Sequence, residues 1–245
     1  INNWVEKKTH DKIKELIKPP MLTIDTRLVL CNAIYFKGNW LSQFDKAKTF
    51  NRDFHVSPDT TILVPMMYQQ TRLKYKCFGE FCALELPYEG NDLSMIIFLP
   101  KKIDRLAEFE DQLTSDSVHI WINELAKMDE GLVMVNMPKF KTISEFELSR
   151  TLYDMGMPDA FSLPPADFSG MTGTKELFIS KVIHKAYVEV NEEGTEAAAA
   201  TAVVMLKSVA MQPLEFKADH PFIFLIRENQ TGSILFIGRI VDPTK

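Results

Sequence analysis

The sequence has little that would indicate a metal site, a membrane span or a nucleic-acid partner. It contains three cysteines, Cys31, Cys77 and Cys82, and an odd number excludes complete pairing within the chain. Their spacing fits no zinc or thioredoxin motif. No apolar run is long enough to cross a bilayer as a helix. The net charge is -5, so the sequence indicates no basic surface for nucleic acid.

Motifs for catalysis are also missing. The nucleophile motif G-x-S-x-G and the glycine-rich phosphate-binding motifs do not occur. The five histidines are scattered, without the spacing of a helical metal site; they are His10, His55, His119, His184 and His220. We therefore expect no cofactor, no metal and no enzymatic activity. Catalysis by His184 as a general base would need a nucleophile that the sequence does not provide, so a buried, hydrogen-bonded histidine is the favoured interpretation.

The chain does have the composition of an ordinary globular protein. Of its 245 residues, 46% are hydrophobic and 25% are charged, which is enough apolar material for a sizeable core. Length alone permits one large domain or two. We find no internal repeat and no linker. Predicted strands, helices and further strands follow one another along the chain, which indicates an α+β fold with large mixed sheets.

Hydrophobic periodicity predicts several elements. An apolar stripe favours an amphipathic helix over residues 1–18, ended by Pro19-Pro20. The continuous apolar run at 27–36 favours a strand covered on both faces, with Cys31 as a small buried side chain. Further predictions are helices at 104–126 and 145–153, a long strand at 177–190, and a hairpin of 222–226 with 234–237.

An alanine-rich segment, 192–202, follows the long predicted strand. Alanine favours a helix there. The same residues could also form a strand of unusually small side chains, and the sequence leaves both possibilities open. No proline occurs between Gly194 and Pro213, so each residue of such a strand could donate a backbone hydrogen bond. One face of that strand would carry no charge; it would consist of Thr195, Ala197, Ala199, Thr201, Val203 and Met205.

Several motifs together resemble the serpin family of protease inhibitors. They are Asn32–Trp40, Leu84–Tyr88, Leu93–Pro100, His184–Thr201, Ala218–Phe224 and Ile237–Arg239. The resemblance covers the whole chain and implies a single serpin domain over residues 1–245. It implies an α+β serpin fold, with mixed sheets, surrounding helices and an exposed reactive-centre loop. Complete serpins are longer, so we expect the chain to be a serpin lacking its N-terminal third.

The resemblance also implies a function. Serpins are suicide inhibitors whose loop is cleaved and whose hinge segment then inserts into the main sheet, a large conformational change. The implied hinge comprises Glu192, Glu193, Gly194, Thr195, Glu196, Ala197, Ala198, Ala199, Ala200 and Thr201. Family spacing from Gly194 implies a reactive bond at Ser208–Val209, with Lys207–Ser208 as the alternative. Ser208 suits an elastase-like serine protease, Lys207 a trypsin-like one, and Leu206 or Met205 a chymotrypsin-like one; a cysteine protease target is also compatible.

Three further residues acquire roles from the resemblance. Trp40, with Glu192, is expected at the breach, where insertion begins. His184 is expected in the shutter, hydrogen-bonded to Asn32. The implied partners are a target protease and the absent N-terminal part of the same protein, in a monomer. We expect an extracellular location, with a cytoplasmic one as the alternative. The alternative is a non-inhibitory serpin acting as a chaperone, carrier or storage protein. Asn229-Gln230-Thr231 is a formal glycosylation acceptor of little weight.

Overall fold

A computed structural model of the chain describes residues 1–194 and 212–245. The fold divides into two compact units, each built from two stretches of chain. The first unit comprises Ile1–Phe36 and Thr142–Val188, and the second comprises Lys37–Lys141 and Glu189–Lys245. The hinge residues from Thr195 to Thr201 and both candidate reactive bonds, at 207–209, lie outside the described residues.

The described elements include twelve strands and five α-helices, and runs of consecutive strands are separated by the helices. The helices are α1 (Asn2–Lys8), α2 (Leu106–Glu110), α3 (Ser115–Ala126), α4 (Ser149–Asp154) and α5 (Ser169–Thr172). The strands are β1 (Leu28–Tyr35), β2 (Phe50–Ser57), β3 (Thr60–Leu73), β4 (Tyr75–Phe78), β5 (Phe81–Pro87), β6 (Leu93–Pro100), β7 (Gly131–Pro138), β8 (Phe140–Glu147), β9 (Ile179–Val190), β10 (Leu214–Lys217), β11 (Phe222–Glu228) and β12 (Ile234–Ile240). No helix in the described ranges is both long enough and apolar enough to cross a membrane.

The first unit is organised around a three-stranded sheet in the order β1-β9-β8. β1 and β9 run parallel, with Leu30 opposite Val182 and Tyr35 opposite Tyr187. The segment that precedes β1 packs on this sheet through Val5, Ile13 and Leu16, which are buried against Ile183 and Tyr187. Burial of these apolar side chains fixes the segment to the strands.

The second unit contains two sheets. The five-stranded sheet is antiparallel, in the order β12-β11-β6-β5-β4, and α2 and α3 pack on it through Phe81, Phe98, Phe109 and Leu125. The four-stranded sheet has the order β10-β7-β3-β2, with β10 parallel to β7 and the other pairs antiparallel. The predicted α+β class with mixed sheets is confirmed.

The helix predicted over residues 1–18 is wrong beyond Lys8. The buried Thr9 hydroxyl donates to the carbonyl of Val5 and accepts from the amide of Ile13, which diverts the backbone from the helix. His10 and Asp11 then adopt positive φ angles of 51° and 63°. Val5, Ile13 and Leu16 of the pattern are buried, whereas Ile1 and Trp4 are 66% and 65% exposed, so the periodicity identified only part of the packed face and not the backbone.

Two other helix predictions need correction. Residues 104–126 form two helices rather than one, because Thr114 caps α3 with a capping box and so starts a new helix. Residues 145–147 belong to β8, where the Glu147 carboxylate accepts from the backbone amide of Val182 in β9. The long strand at 177–190 is confirmed as β9, and the predicted hairpin is confirmed as β11 with β12.

β1 is a strand, as predicted, but it is not covered on both faces. Leu30 is 41% exposed, and Cys31 and Asn32 are also exposed. The reason is that β1 is an edge strand of its sheet, and its packed contacts come from Val29, Ala33 and Tyr35 on either side of this stretch. The prediction that Cys31 is a buried side chain is therefore wrong.

Candidate functional site

The end of β9 leads into a tight, hydrogen-bonded turn at Asn191–Gly194. The amide of Asn191 donates to the carbonyl of Gly194 at 2.9 Å, and the amide of Gly194 donates back to the carbonyl of Asn191 at 3.2 Å. The side-chain oxygen of Asn191 accepts from the amide of Glu193 at 3.0 Å. The first three residues of the predicted hinge, Glu192–Gly194, are thus held in a closed turn by backbone hydrogen bonds with Asn191. We name this turn, with the residues that contact it, the hinge clasp.

Gly194 fits the hinge clasp because it has no side chain. Its φ is +132°, a conformation that residues with a Cβ rarely adopt. It forms an antiparallel bridge with Asn39, and a Cβ at this position would lie 2.2 Å from the carbonyl oxygen of Gly38 and 2.7 Å from the amide nitrogen of Trp40. Both atoms are backbone and cannot rotate away. The close approach therefore requires glycine.

Trp40 is buried beside the turn of the hinge clasp. Its ring stacks on Tyr88 with 4.6 Å between centroids and meets the edge of Phe44 at 6.4 Å. The indole N–H donates to the carbonyl of Asn191 at 3.0 Å. Its backbone amide donates to the carbonyl of Glu193, also at 3.0 Å. One residue thus contacts the turn through its ring and its backbone, and 3% of it is exposed.

Glu192 is a buried acid in the hinge clasp. Its carboxylate accepts from the Lys139 ammonium at 3.0 Å and from the Thr49 hydroxyl at 2.9 Å. Burial alone would raise the pKa of Glu192, but these donors outweigh burial and lower the pKa. The carboxylate is therefore charged at neutral pH. The neighbouring Glu193 forms an ion pair with the exposed Lys46.

The two residues predicted for the shutter are brought opposite one another by strand register. Asn32 of β1 is the Cα partner of His184 of β9. The half-buried ring of His184 stacks on Phe146 of β8, with 6.2 Å between centroids. No hydrogen bond joins Asn32 to His184 within the described residues, and His184 makes none there to any other group. The expected buried, hydrogen-bonded histidine is therefore not observed. His184 is half-buried, and its partner Asn32 in β1 is exposed.

Sequence reasoning identified Trp40, Glu192 and Gly194 but missed the groups that anchor them. Lys139, Thr49 and Lys46 received no role, nor did the ring of Tyr88. The Thr49–Glu192 contact joins residues 143 positions apart, so local pattern could not reveal it. The one available signal was chemical, since an acid that follows a buried strand needs a basic or hydroxyl partner.

Two minor sequence features are resolved by side-chain contacts. Cys77 and Cys82 form a disulfide, which leaves Cys31 as a free thiol. The side chain of Asn229 is fully engaged: its amide donates to the carbonyl of Asn91, and its oxygen accepts from Ser94 and Arg227.

Comparison with known proteins places this geometry in a family. The model of the family Serpin (serine protease inhibitor) matches residues 1–243. The chain is 47% identical over 245 residues to Serpin B6 of Pongo abelii, and 45% identical over 249 residues to leukocyte elastase inhibitor of Homo sapiens. Each alignment covers 99% of this chain and 65% of the relative, so the chain spans slightly less than two thirds of their length.

Solved structures show the same fold. A crystal structure of human thyroxine-binding globulin complexed with thyroxine aligns with a TM-score of 0.86 at 33% identity, covering all of this chain and 63% of that one. Uncleaved ovalbumin aligns with a TM-score of 0.85 at 32% identity, covering 99% and 61%. The fold is therefore the serpin fold. With a family model that spans nearly every residue, the chain belongs to the serpin family.

Proposed function

We propose that the protein inhibits serine endopeptidases as a suicide substrate, by insertion of its cleaved hinge segment between β1 and β9. The observation that carries the proposal is the pairing of these two strands. They are parallel neighbours in continuous register from Val29–Lys181 to Tyr35–Tyr187, with no strand between them. The hinge begins directly after β9.

Strand direction explains why insertion at this position is favourable. A segment that turns back after β9 runs antiparallel to β9, and because β1 is parallel to β9 it also runs antiparallel to β1. Insertion would replace one parallel pairing with two antiparallel ones. Antiparallel pairing is somewhat more stable per residue, and the number of ladder hydrogen bonds increases. The uncharged face of Thr195, Ala197 and Ala199 suits burial in the sheet.

The hinge clasp is the proposed starting point of insertion. It holds Glu192–Gly194 in a closed turn through Trp40 and Lys139, and these three residues join β9 to the segment that would insert. Propagation from a fixed first pair avoids the cost of closing a new loop. We assign Trp40 and Glu192 to the breach on this basis, and Asn32 and His184 to the shutter.

The class of target protease depends on the residues at the reactive bond. We propose Ser208–Val209 as the reactive bond, with Lys207–Ser208 as the alternative. A small residue at 208 suits an elastase-like pocket, and one relative is named as an inhibitor of leukocyte elastase. Lys207 suits a trypsin-like pocket and Leu206 or Met205 a chymotrypsin-like one. We further propose that the inhibitor acts as a monomer. The expected extracellular location finds no support in these comparisons.

The test is a panel of serine and cysteine proteases incubated with the protein. An inhibitor forms a covalent complex that survives denaturing electrophoresis, and mass spectrometry of the released peptide identifies the reactive bond. Clean cleavage without a complex, by every protease of the panel, would overturn the proposal and favour a carrier or storage role.

A matched pair of variants isolates the insertion step. Thr195→Arg places a charge on the face that would enter the sheet, and it should convert the inhibitor into a substrate that is cleaved and released. Glu196→Arg changes the adjacent residue on the opposite face and should leave the stoichiometry of inhibition unchanged. Equal effects of the two variants would contradict the assigned strand geometry.

A further inference from the structure

The β4–β5 hairpin carries the Cys77–Cys82 disulfide at its tip. The two cysteines are direct Cα partners in the antiparallel register, with 3.9 Å between their Cα atoms. Phe78 and Phe81 form the next pair, and Gly79 turns the chain with a φ of +53°. The bond therefore closes a loop with four residues between the cysteines. In the chain-entropy account such a short loop gains less from cross-linking than a longer loop does.

The hairpin is anchored without the disulfide. β5 pairs with β6 along its whole length, from Phe81–Pro100 to Pro87–Ser94. The rings of Phe78 and Phe81 stack at 5.1 Å, and Phe81 contacts Trp121 of α3 at 4.7 Å. Register and aromatic packing thus hold both sulfurs opposite each other whether or not they are bonded. Opening of the disulfide is a local event from which the bond can reform in place.

The two sulfurs of the disulfide differ in their surroundings. Cys77 is exposed, whereas Cys82 is buried in the sheet. The Tyr75 hydroxyl donates to the Cys77 sulfur at 3.0 Å, since a disulfide sulfur has no hydrogen to give. Burial raises the pKa of Tyr75, which keeps the donor protonated at neutral pH. Access therefore favours attack at Cys77, and the hydrogen-bond donor favours the Cys77 thiolate once that sulfur is released.

We propose that Cys77 is a reversible thiol-exchange site for low-molecular-weight thiols of the glutathione type. A thiolate attacks the exposed Cys77 sulfur, forms a mixed disulfide there and releases Cys82, which takes a proton from solvent. A second thiolate attacks the outer sulfur of that mixed disulfide. This step yields the oxidised small-molecule disulfide and a Cys77 thiolate that Tyr75 stabilises by its hydrogen bond. Two small thiols are oxidised and one protein disulfide is reduced, so electrons balance.

The site lies apart from any role in protease inhibition, and its test is independent of the proposed function. Protein in a Cys31→Ser background is equilibrated with mixtures of reduced and oxidised glutathione, acid-quenched, alkylated and mapped by mass spectrometry. We expect the Cys77–Cys82 bond to open across these mixtures while far-ultraviolet circular dichroism stays unchanged. A bond that opens only when the protein unfolds would overturn the proposal.

Variants separate the roles of the three residues. Cys82→Ser should accumulate a stable glutathione adduct at Cys77, and Cys77→Ser should accumulate at least several-fold less adduct at Cys82. Added to Cys82→Ser, where Cys77 attacks oxidised glutathione as a free thiolate, Tyr75→Phe should slow adduct formation at Cys77 several-fold with no change in circular dichroism. The same adduct yield at either cysteine, or an unchanged rate in Tyr75→Phe, would contradict the assignment. Cys31 in otherwise unaltered protein provides an exposed reference thiol; partial desolvation raises its pKa, so it should react more slowly than Cys77.

Discussion

The hinge clasp and the proposed shutter, Asn32 with His184, are positioned by different kinds of interaction. In the hinge clasp, Gly194, Trp40 and Glu192 are fixed by close backbone contact, a buried indole hydrogen bond and a buried ion pair. In the shutter, Asn32 and His184 face each other through strand register, and the side-chain contact is a ring stack with Phe146. A site fixed by buried polar contacts loses stability when any one of them is removed. A site fixed by register keeps its geometry when a side chain is changed.

Replacement of Gly194 should have the largest effect. Gly194→Ala forces a Cβ into the backbone of residues 38–40 at an unfavourable φ, and we expect a loss of about 3 kcal/mol in the free energy of unfolding. Gly232→Ala is the matched control, since Gly232 has a φ of +75° and a Cβ added there would meet no atom within 4 Å. That control should lose about 1 kcal/mol, the cost of the backbone conformation alone. Urea denaturation measures both, and equal losses would contradict the close approach.

The buried acid should come next. Glu192→Gln removes the charge that faces Lys139 and should cost about 2 kcal/mol at neutral pH. Glu193→Gln, which breaks the ion pair with exposed Lys46, should cost about 0.5 kcal/mol or less.

The cost of Glu192→Gln should depend on pH in a defined direction. The pKa of Glu192 is lowered in the folded protein, so its stabilisation is complete above the ordinary value of 4.5 and is lost as the pH falls through the lower, folded value. The difference between Glu192→Gln and the parent protein should therefore shrink below about pH 4.5. A difference that stays constant from pH 7 into this acid range would show that charge is not what Lys139 and Thr49 recognise.

Loss of the indole donor should have a smaller effect. Trp40→Phe keeps a ring against Tyr88 but leaves the carbonyl of Asn191 without its donor, which should cost about 1–2 kcal/mol. It should also change the rate of covalent complex formation with a target protease. Trp121→Phe is the control, because Trp121 makes ring contacts but no hydrogen bond within the described residues. Unchanged complex formation in Trp40→Phe would refute its place at the start of insertion.

The contrast between the two regions also explains what could be predicted from the sequence. β9 and the β11–β12 hairpin follow from local pattern, because β9 is a long apolar run by itself and a short turn joins the two strands of the hairpin. Ile13 and Leu16 lie in a segment of helical periodicity and are buried as that periodicity predicts, yet a hydrogen bond from the amide of Ile13 to the Thr9 hydroxyl turns the backbone away from a helix. Periodicity records which residues are buried, and several backbone paths satisfy the same burial.

Prediction of the candidate site from sequence has the same limit, because its contacts join residues that are far apart along the chain. Gly194, Trp40 and Glu192 could be named from motifs, because each lies within a recognisable run of sequence. Lys139 and Thr49 could not, since their role exists only once β7 and the segment after Trp40 are folded beside the end of β9. Tertiary pairing of a buried charge is decided by the fold and leaves no local trace in the sequence.

Replacement of His184 should change stability least, and it tests most directly the contrast between the hinge clasp and the proposed shutter. His184→Ala removes the ring stack with Phe146 but no hydrogen bond of the described residues, so we expect a loss of about 1 kcal/mol or less in the free energy of unfolding. If the shutter gates separation of β1 from β9, the same variant should change the rate of loop insertion, measured as covalent complex formed per unit time. A matched Phe146→Leu variant removes the stack and keeps the histidine. Equal insertion rates in both variants and the parent would refute the gating role. A change confined to His184→Ala would assign gating to the imidazole, which would then act while the two strands move apart.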